Sequence, residues 1–336
     1  MSKLILLPDL HLQSKESHYL ADIEFLNWLS SLDINKPENT LLQMGDFYDL
    51  AKPEPKVVEL AIDFFHNKWK GKSNYIMAGN TNHEYDRKKD AYAIQTLSSL
   101  SNVNCLFGVN ELELDNLKLL AISWFPDNYM KDDKGNNIKF IDYVKDLPEV
   151  YRKHYDYILG HINYVDTRCS DYIDLSYLDA DNIITAHIHM NFLGNCVANA
   201  RGQDLYDSYI SVIDTITKEV EKIYIPKFLV YKDINYPDKI EGNKKVVDKY
   251  IGKEFNQYVI YTVNEAIDKN ETINYYTNMI ENFYYREVNV KKLSIMNESK
   301  RESDNTKKTV KEWLNDFIDN NDIDNKVKVE LENRVK

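Results

Sequence analysis

Three short apolar runs in the N-terminal part of the chain each end directly in a group of polar residues. The runs are Leu4 to Leu7, Thr40 to Met44 and Asn74 to Met77, and the polar groups begin at Asp9, Gly45 and Asn80. Apolar runs of this length are typical of buried strands. Apolar residues at helical spacing in residues 20–32 and 57–69 predict helices between them. The alternation of strand, polar group and helix predicts an α/β fold with its functional residues at strand ends.

The pattern changes after residue 90. Residues 91–100 predict a further helix, and residues 109–114 and 118–123 predict a hairpin around Asp115-Asn116. Two more predicted strands, residues 155–159 and 182–185, lead into Gly160-His161 and into His187-Ile188-His189. Residues 208–225 alternate as strands. At least five predicted strands therefore end in a possible ligand.

Composition narrows the class of protein. The chain has 336 residues, of which 43% are hydrophobic, and a formal charge of −12. That length suits a catalytic domain with one or two small ones, and the acidity argues against a protein that holds nucleic acid by a broad basic surface of its own. Cys105, Cys169 and Cys196 form no CxxC pair, which favours reduced thiols and a cytoplasmic location. No run approaches the roughly 18 apolar residues of a membrane span.

The residue types at these strand ends are those that bind divalent metals. Asp9 and His11 are two residues apart, as are His187 and His189, so each pair points the same way at a strand end. Two carboxylates, Asp9 and Asp46, leave about +2 of the charge of two divalent ions uncompensated, which suits a phosphodiester. Asp46 is the natural bridge between the ions. Mixed nitrogen and oxygen donors favour Mn²⁺, Fe or Zn²⁺ over a hard Mg²⁺ or Ca²⁺ cage.

The ordered set Asp9-x-His11, Gly45-Asp46, Asn82-His83-Glu84, Gly160-His161 and His187-x-His189 resembles the calcineurin-like metallophosphoesterase superfamily. The stretch Gly45 to Asp49, with Pro53 shortly after it, is similar to SbcD-type DNA repair nucleases, and most of all to phage recombination endonuclease subunits. The resemblance covers most of the chain, including Trp124-Phe125-Pro126. It implies a four-layer β-sandwich flanked by helices, a small α/β capping domain and a C-terminal helical pair.

The resemblance also implies roles for single residues. Asp9, His11, Asp46 and His189 would hold one metal, and Asp46, Asn82, His161 and His187 the other. His83 would be the catalytic histidine, which stabilises the transition state or protonates the leaving oxygen. Asp49 would lie near the metals, and Glu84 would orient His83.

The Asn-His-Glu element departs from the pattern of the superfamily. A glycine usually stands directly before Asn-His, whereas here the stretch is Gly79-Asn80-Thr81-Asn82-His83, two residues longer. Asn82 is adjacent to His83 and is the preferred ligand, and Asn80 is its rival. Ala186 replaces the glycine before His-x-His, and Asn199-Ala200-Arg201-Gly202 only roughly matches the phosphate-side turn that often follows.

The predicted domains are 1–226, a nuclease domain; 227–296, an α/β capping domain that binds DNA; 297–308, a flexible linker; and 309–336, a helical motif. The linker has no apolar residue, and Val310, Trp313, Leu314, Phe317 and Ile318 then follow at helical spacing. That apolar stripe either folds back on the catalytic domain or docks on a partner. The resemblance implies an SMC-like ABC ATPase as the partner.

The prediction is therefore a Mn²⁺-dependent DNA exonuclease and endonuclease subunit with two metal ions. It would act in a recombination or double-strand-break repair complex, in the host cytoplasm if phage-encoded. It would form a homodimer through helices near residues 20–32 and 57–69, with no membrane contact. One alternative is a phosphatase or phosphodiesterase of the same superfamily with a non-DNA substrate, and another is a scaffold with an inactive site.

Overall fold

The computed structural model describes most of the chain up to residue 292. The described residues are 2–7, 9–80, 82–86, 88–124, 129–131, 136–139, 150, 152–162, 175, 178–187, 208–235, 238, 240, 244–265 and 288–292. The chain divides into two compact units, Met1–Lys291 and Lys292–Lys336. The predicted linker and helical motif, 297–308 and 309–336, lie outside the described residues.

Within these ranges strands are the main regular structure. The α-helices are α1 (Glu16–Ser31) and α2 (Pro55–Asp63); a π-helical turn, Phe64–Lys68, continues α2, and a 3₁₀ turn covers Ala93–Leu97. The strands are β1 (Lys3–Leu7), β2 (Thr40–Gln43), β3 (Asn74–Met77), β4 (Tyr85–Asp86), β5 (Ala91–Tyr92), β6 (Val103–Leu106), β7 (Val109–Leu114), β8 (Leu117–Ile122), β9 (Tyr129–Lys131), β10 (Asn137–Lys139), β11 (His154–His161), β12 (Asp179–Ala186), β13 (Tyr209–Asp214), β14 (Val220–Tyr224), β15 (Leu229–Asn235), β16 (Lys244–Val247), β17 (Glu254–Glu265) and β18 (Val288–Lys292).

Two sheets carry the predicted site residues. The six-stranded sheet has the order β14-β13-β1-β2-β3-β6. Strands β1, β2, β3 and β6 are mutually parallel, β13 is antiparallel to β1, and β14 is antiparallel to β13. The four-stranded sheet has the order β12-β11-β8-β7, with β8, β11 and β12 parallel and β7 antiparallel to β8. Pairing of Leu4 with Thr40 and of Tyr157 with Leu119 sets the register in each.

Side chains along each strand of the six-stranded sheet point alternately to the four-stranded sheet and to the helices. Leu4 and Leu6 face the four-stranded sheet and pack with its Leu119 and Leu159, whereas Ile5 and Leu7 face the helices. On the helix side Phe25, Leu26, Trp28 and Leu29 of α1 and Val57, Leu60 and Ala61 of α2 are buried. Each large side chain buried there contributes about 1.5–3 kcal/mol of transfer free energy. This core holds the strand ends in place.

Helix α1 also contacts a third sheet, in which β17 pairs with β15 and β18 and is antiparallel to β16. Trp28 Nε1 donates to Asp248 Oδ2 at 3.0 Å, and Asn256 Nδ2 donates to Glu24 Oε1 at 2.7 Å. Phe228 packs on the rings of Phe25 and Trp28. The described strands of the predicted capping domain are therefore packed on the same helix as the six-stranded sheet.

The predicted four-layer sandwich flanked by helices is wrong. Strands dominate the described part of the chain, and the two α-helices found there both pack on one face of the six-stranded sheet. The helix predicted over residues 91–100 is instead the short strand β5 and a 3₁₀ turn, where Ala93 N–H donates to Glu84 O at 2.7 Å. The hairpin of β7 and β8 is confirmed.

Candidate metal centre

Both sheets deliver polar residues to the same place from the carboxyl ends of their parallel strands. Asp9 and His11 follow β1, Asp46 follows β2, and Asn80 follows β3. His161 is the last residue of β11 and His187 directly follows β12. In parallel sheets the residues beyond the carboxyl ends of neighbouring strands share one edge, which is where such sheets bind ligands.

Asp46 lies at the centre of this set. Two groups of residues have donor atoms within 4.8 Å of one another, and both contain Asp46: the first adds His11 and His83, and the second adds His161 and His187. Asp46 Oδ2 lies 3.8 Å from His11 Nε2 and 3.3 Å from His161 Nε2. The carboxylate is almost completely buried. One carboxylate between two histidine pairs is the arrangement that two bridged metal ions need.

Two glycines allow the strand ends to approach this closely. A Cβ on Gly45 would stand 2.3 Å from the His161 ring, and a Cβ on Gly79 would stand 2.2 Å from Asp46. Gly45 has φ +99°, a left-handed conformation that glycine adopts at little cost. The Gly before Asp46 and the Gly before Asn80 are therefore steric requirements of the site.

Three residues of this centre have a strained backbone. His11, Asp46 and His187 have φ values of 47°, 48° and 80°, in the left-handed region that residues with a Cβ rarely occupy. Such conformations cost about 1–3 kcal/mol each and persist where the surroundings impose them. Here Leu10 and His11 N–H both donate to Asp46 O, at 3.1 and 2.8 Å. The backbone thus fixes His11 against Asp46.

The protonation of His161 shows that the donor set fits a metal. Its Nδ1 lies 2.7 Å from Met44 O, and a carbonyl oxygen only accepts, so Nδ1 carries the hydrogen. Nε2 then faces the Asp46 carboxylate at 3.3 Å, and both groups are buried. Burial opposes a charged His161, but Asp46 and Asp9 outweigh it and raise the pKa to about 9. The negative charge that favours a proton on Nε2 would also attract a metal cation, which would displace that proton.

The pKa of Asp46 shifts in the opposite direction. Burial alone would raise its pKa, but His161 and His11 outweigh the burial and hold the pKa well below its usual range. Asp46 is therefore an anion at neutral pH, surrounded by imidazole nitrogen donors. Buried carboxylate and imidazole together suit Mn²⁺, Fe or Zn²⁺ better than Mg²⁺ or Ca²⁺.

Asp9 is fully buried but belongs to neither group of donors. Its Oδ2 accepts from His187 N–H at 3.1 Å, and its Oδ1 lies 3.6 Å from His161 Nδ1. Asp9 therefore links the end of β1 to the two strand ends of the other sheet. The fourth predicted ligand of that ion, His189, lies outside the described residues.

The two candidate asparagines occupy different places. Asn80 is buried, and its Nδ2 lies 2.9 Å from Asp46 Oδ2 and 3.5 Å from His187 Nδ1. Asn82 is exposed, and its backbone N–H donates to Asn80 Oδ1 at 2.8 Å. His83 N–H donates to the same oxygen at 3.2 Å. The backbone N–H groups of Asn82 and His83 thus hold the Asn80 side chain, and Asn80, not Asn82, lies beside Asp46.

His83 lies at the accessible side of the centre, with about a third of its side chain exposed. Its ring packs edge-on against His11 with a centroid distance of 4.4 Å. Nδ1 donates to Asp49 O at 3.1 Å, and Asp49 Oδ1 lies 3.6 Å from both His83 Nδ1 and His11 Nδ1. Hydrogen bonding to Asp49 raises the pKa of His83 to about 9. Asp49 thus contacts both histidines.

Glu84, which is predicted to orient His83, accepts hydrogen bonds from the backbone of two loops. It is completely buried, and its carboxylate accepts from Tyr48 N–H at 2.9 Å and from Gly79 N–H at 2.6 Å. Burial is the main cause that raises its pKa to about 8. These bonds join the loop after β2 to the loop after β3. Glu84 therefore organises the loops that carry Asp46 and Asn80.

Two features were not predicted from the sequence. Trp124, which follows β8, lies against His187 with ring centroids 4.7 Å apart. A third group of possible metal donors, His154, Asp156 and Asp181, lies at the opposite ends of β11 and β12. Asp156 there forms an ion pair with Lys218, and exposed His154 pairs with Asp179 at 3.1 Å, so this group is a charge network. The placement of Trp124 was detectable only from the parallel pairing of β8 with β11.

Comparison with known proteins gives distant likenesses in structure alone. No protein-family model matches the chain, and no curated protein matches its sequence. A structure described as a novel archaeal phosphodiesterase is 13% identical, with a TM-score of 0.35, and the match covers 66% of this chain and 99% of the other. A protein of unknown function from Aquifex aeolicus is 15% identical, with a TM-score of 0.29, covering 54% and 89%. TM-scores this low assign no function. Among the described residues no helix is long and apolar enough to cross a membrane.

Proposed function

We propose that the chain is a phosphodiesterase that uses two divalent metal ions. The observation that carries the proposal is that Asp46 lies in two groups of possible donors, one with His11 and the other with His161 and His187, and that His83 stands beside the first. This arrangement is held by the strained backbone at His11, Asp46 and His187. It also requires the close approach that Gly45 and Gly79 allow. We assign the asparagine of this centre to Asn80, because its Nδ2 donates to Asp46 Oδ2, whereas Asn82 is exposed.

The protein side chains would divide the work of hydrolysis. When bound, the two cations would offset the charge of the phosphate and lower the pKa of an attacking water. Asp46 would hold both ions, and Asp9 would keep the strand ends of the two sheets together. His83 donates its Nδ1 hydrogen to Asp49 O, which leaves Nε2 to carry the proton that the leaving oxygen needs. Its raised pKa keeps that proton available at neutral pH.

We further propose DNA as the substrate and Mn²⁺ as the metal. Support comes from the resemblance of Gly45 to Asp49 to SbcD-type nucleases, and from the mixed nitrogen and oxygen donors. The position of Asp49 between His11 and His83 agrees with a role near the reacting phosphate. The acidic chain would take part of its DNA affinity from the metals and from a partner.

Partners and domains extend this proposal. The segment 227–296 would cap the nuclease domain, and 309–336 would bind an SMC-like ABC ATPase through a flexible linker, 297–308. For a homodimer, α2 is the more suitable helix, because no residue of α1 after Glu16 is exposed and α1 already packs on β15 and β17.

The test is hydrolysis by the purified full chain with Mn²⁺. We expect cleavage of bis-(p-nitrophenyl) phosphate and of a single-stranded oligonucleotide, and little cleavage of p-nitrophenyl phosphate. Asp46→Asn should abolish both activities, whereas His66→Ala, at an exposed histidine of the π-helical turn, should keep them. A preference for the monoester would favour a phosphatase, and no hydrolysis with or without the ATPase partner would contradict the proposal.

A further inference from the structure

Trp124 is held where the two sheets meet at the metal centre. Its backbone N–H donates to Ala78 O at 3.0 Å, directly before Gly79. The neighbouring Ser123 is fixed twice, because its N–H donates to Gly108 O and its Oγ to Leu106 O, both at 2.9 Å. The backbone at the end of β8 is thus joined to the loops after β3 and β6, and the position of the indole is determined by both sheets.

The indole ring packs on the histidines of the second donor group. Its centroid lies 4.7 Å from that of His187 at an interplanar angle of 44°, and 6.3 Å from that of His161. His187 has a strained backbone, with φ 80°, and its ring belongs to the group around Asp46. Packing against an aromatic surface restricts the rotation of the His187 ring, as neighbours of metal-ligating histidines usually do.

The Trp124 Nε1–H is buried and has no hydrogen-bond acceptor among the described residues. A buried donor without an acceptor destabilises the folded protein, so buried indoles normally find one. The other two described tryptophans do: Trp28 Nε1 donates to Asp248 and Trp69 Nε1 to Asn74. Trp124 is the exception in the described part of the chain, and it stands beside the metal centre.

We propose that Trp124 binds the substrate by donating its indole N–H to a non-bridging oxygen of the phosphate, while its ring positions His187. This inference rests on the proposed function, because it requires a phosphate at the centre. A neutral donor here would hold an oxygen of an anionic group without adding a titratable charge. Binding of the phosphate would supply the acceptor that the indole lacks.

Trp124→Phe separates the two roles, because phenylalanine keeps an aromatic ring against His187 and removes the N–H. The readouts are Mn²⁺ binding and the affinity of the Mn²⁺-loaded protein for inorganic phosphate, both by calorimetry. A hydrogen bond to a charged group contributes about 1.5–3 kcal/mol, so the phosphate Kd should rise roughly 10- to 100-fold. Mn²⁺ affinity should change by less than about 2-fold, because the ring remains.

Trp69→Phe is the matched control, since it removes a buried indole N–H that donates to Asn74. It should leave the phosphate Kd unchanged. Trp124→Leu removes the ring as well and should also weaken Mn²⁺ binding. A wild-type phosphate Kd in Trp124→Phe, or no phosphate binding by the wild type, overturns the inference. Phosphate binding that depends on Trp124 without any diester hydrolysis would instead overturn the proposed function and leave this inference standing.

Discussion

At the scale of single residues, the structure separates two asparagines that the sequence leaves as rivals. Asn80 is buried beside Asp46, whereas Asn82 is exposed. We expect Asn80→Ala to weaken Mn²⁺ binding by about 10- to 100-fold, because it removes a polar partner of the bridging carboxylate. Asn82→Ala, which keeps the backbone N–H to Asn80 Oδ1, should stay within about 2-fold of wild type. Calorimetric titration with Mn²⁺ decides between them, and the reverse order would identify Asn82 as the ligand.

A second residue-scale prediction concerns Gly45. Gly45→Ala places a Cβ 2.3 Å from the His161 ring in a left-handed backbone, so it should destabilise the fold by about 2–4 kcal/mol and impair Mn²⁺ binding. Gly252 is the control, because it has φ +65° but open space around a Cβ. Gly252→Ala should cost only about 1 kcal/mol, the conformational part alone. Chemical denaturation measures both, and equal losses would show that the contact with His161 is relaxed easily.

At the scale of elements, Asp156 joins three parts of the fold. On β11 it accepts from Lys118 N–H of β8 at 2.7 Å and pairs with Lys218 of the β13–β14 turn. Burial would raise the pKa of Asp156, but these two partners outweigh it and lower the pKa below its usual value. A depressed pKa contributes stability that is present above the unfolded-state pKa of about 4 and is lost as pH falls through the folded-state pKa.

Asp156→Asn should therefore reduce the free energy of unfolding by about 1–3 kcal/mol at pH 7. The difference from wild type should shrink as pH falls below about 4. Asp33→Asn, at an exposed aspartate, should have little effect at either pH. Urea denaturation across this pH range measures the difference, and a difference that grows as pH falls would contradict the assigned role.

Element by element, the sequence predicts strands better than helices. The apolar runs before Asp9, Gly45 and Asn80 are strands β1, β2 and β3, because a buried parallel strand needs nearly continuous apolar residues. The helix predicted at residues 91–100 failed, since Ala91 and Tyr92 pair with Asp86 and Tyr85 in an antiparallel ladder, and such tertiary contacts override a short periodic pattern. The order of strands, and with it the place of Trp124, depends on long-range pairing that no local pattern contains.

The sequence predicts some residues of the candidate site but not the roles of others. Residue types and strand ends indicate Asp46 and His161, because metal donors that follow parallel strands meet at one edge. The roles of Glu84 and Asn80 were not predictable, since they depend on which backbone N–H groups each side chain meets in the folded loops. A two-residue insertion in a sequence motif does not reveal which of its asparagines turns inward.

At the scale of the whole molecule, the centre lies between two sheets that come from distant parts of the chain. Asp46 and His11 belong to the six-stranded sheet, and His161 and His187 to the four-stranded sheet. Metal ions bound by Asp46 and these histidines would join the two sheets directly, in addition to the apolar core that the sheets share. Binding energy that requires the folded state adds to its stability, so Mn²⁺ should raise the unfolding temperature in a concentration-dependent way.

The most direct test of the two-metal centre is the number and coupling of Mn²⁺ ions bound by the full chain, measured by electron paramagnetic resonance with quantitative metal analysis. We predict two Mn²⁺ ions per wild-type chain with the spectrum of a coupled pair, since ions that share a carboxylate lie only about 3.5–4 Å apart. Asp46→Asn should lose the coupled signal, and His66→Ala should keep it. A single ion per chain, or two uncoupled ions that Asp46→Asn leaves in place, would contradict the shared carboxylate on which the account depends.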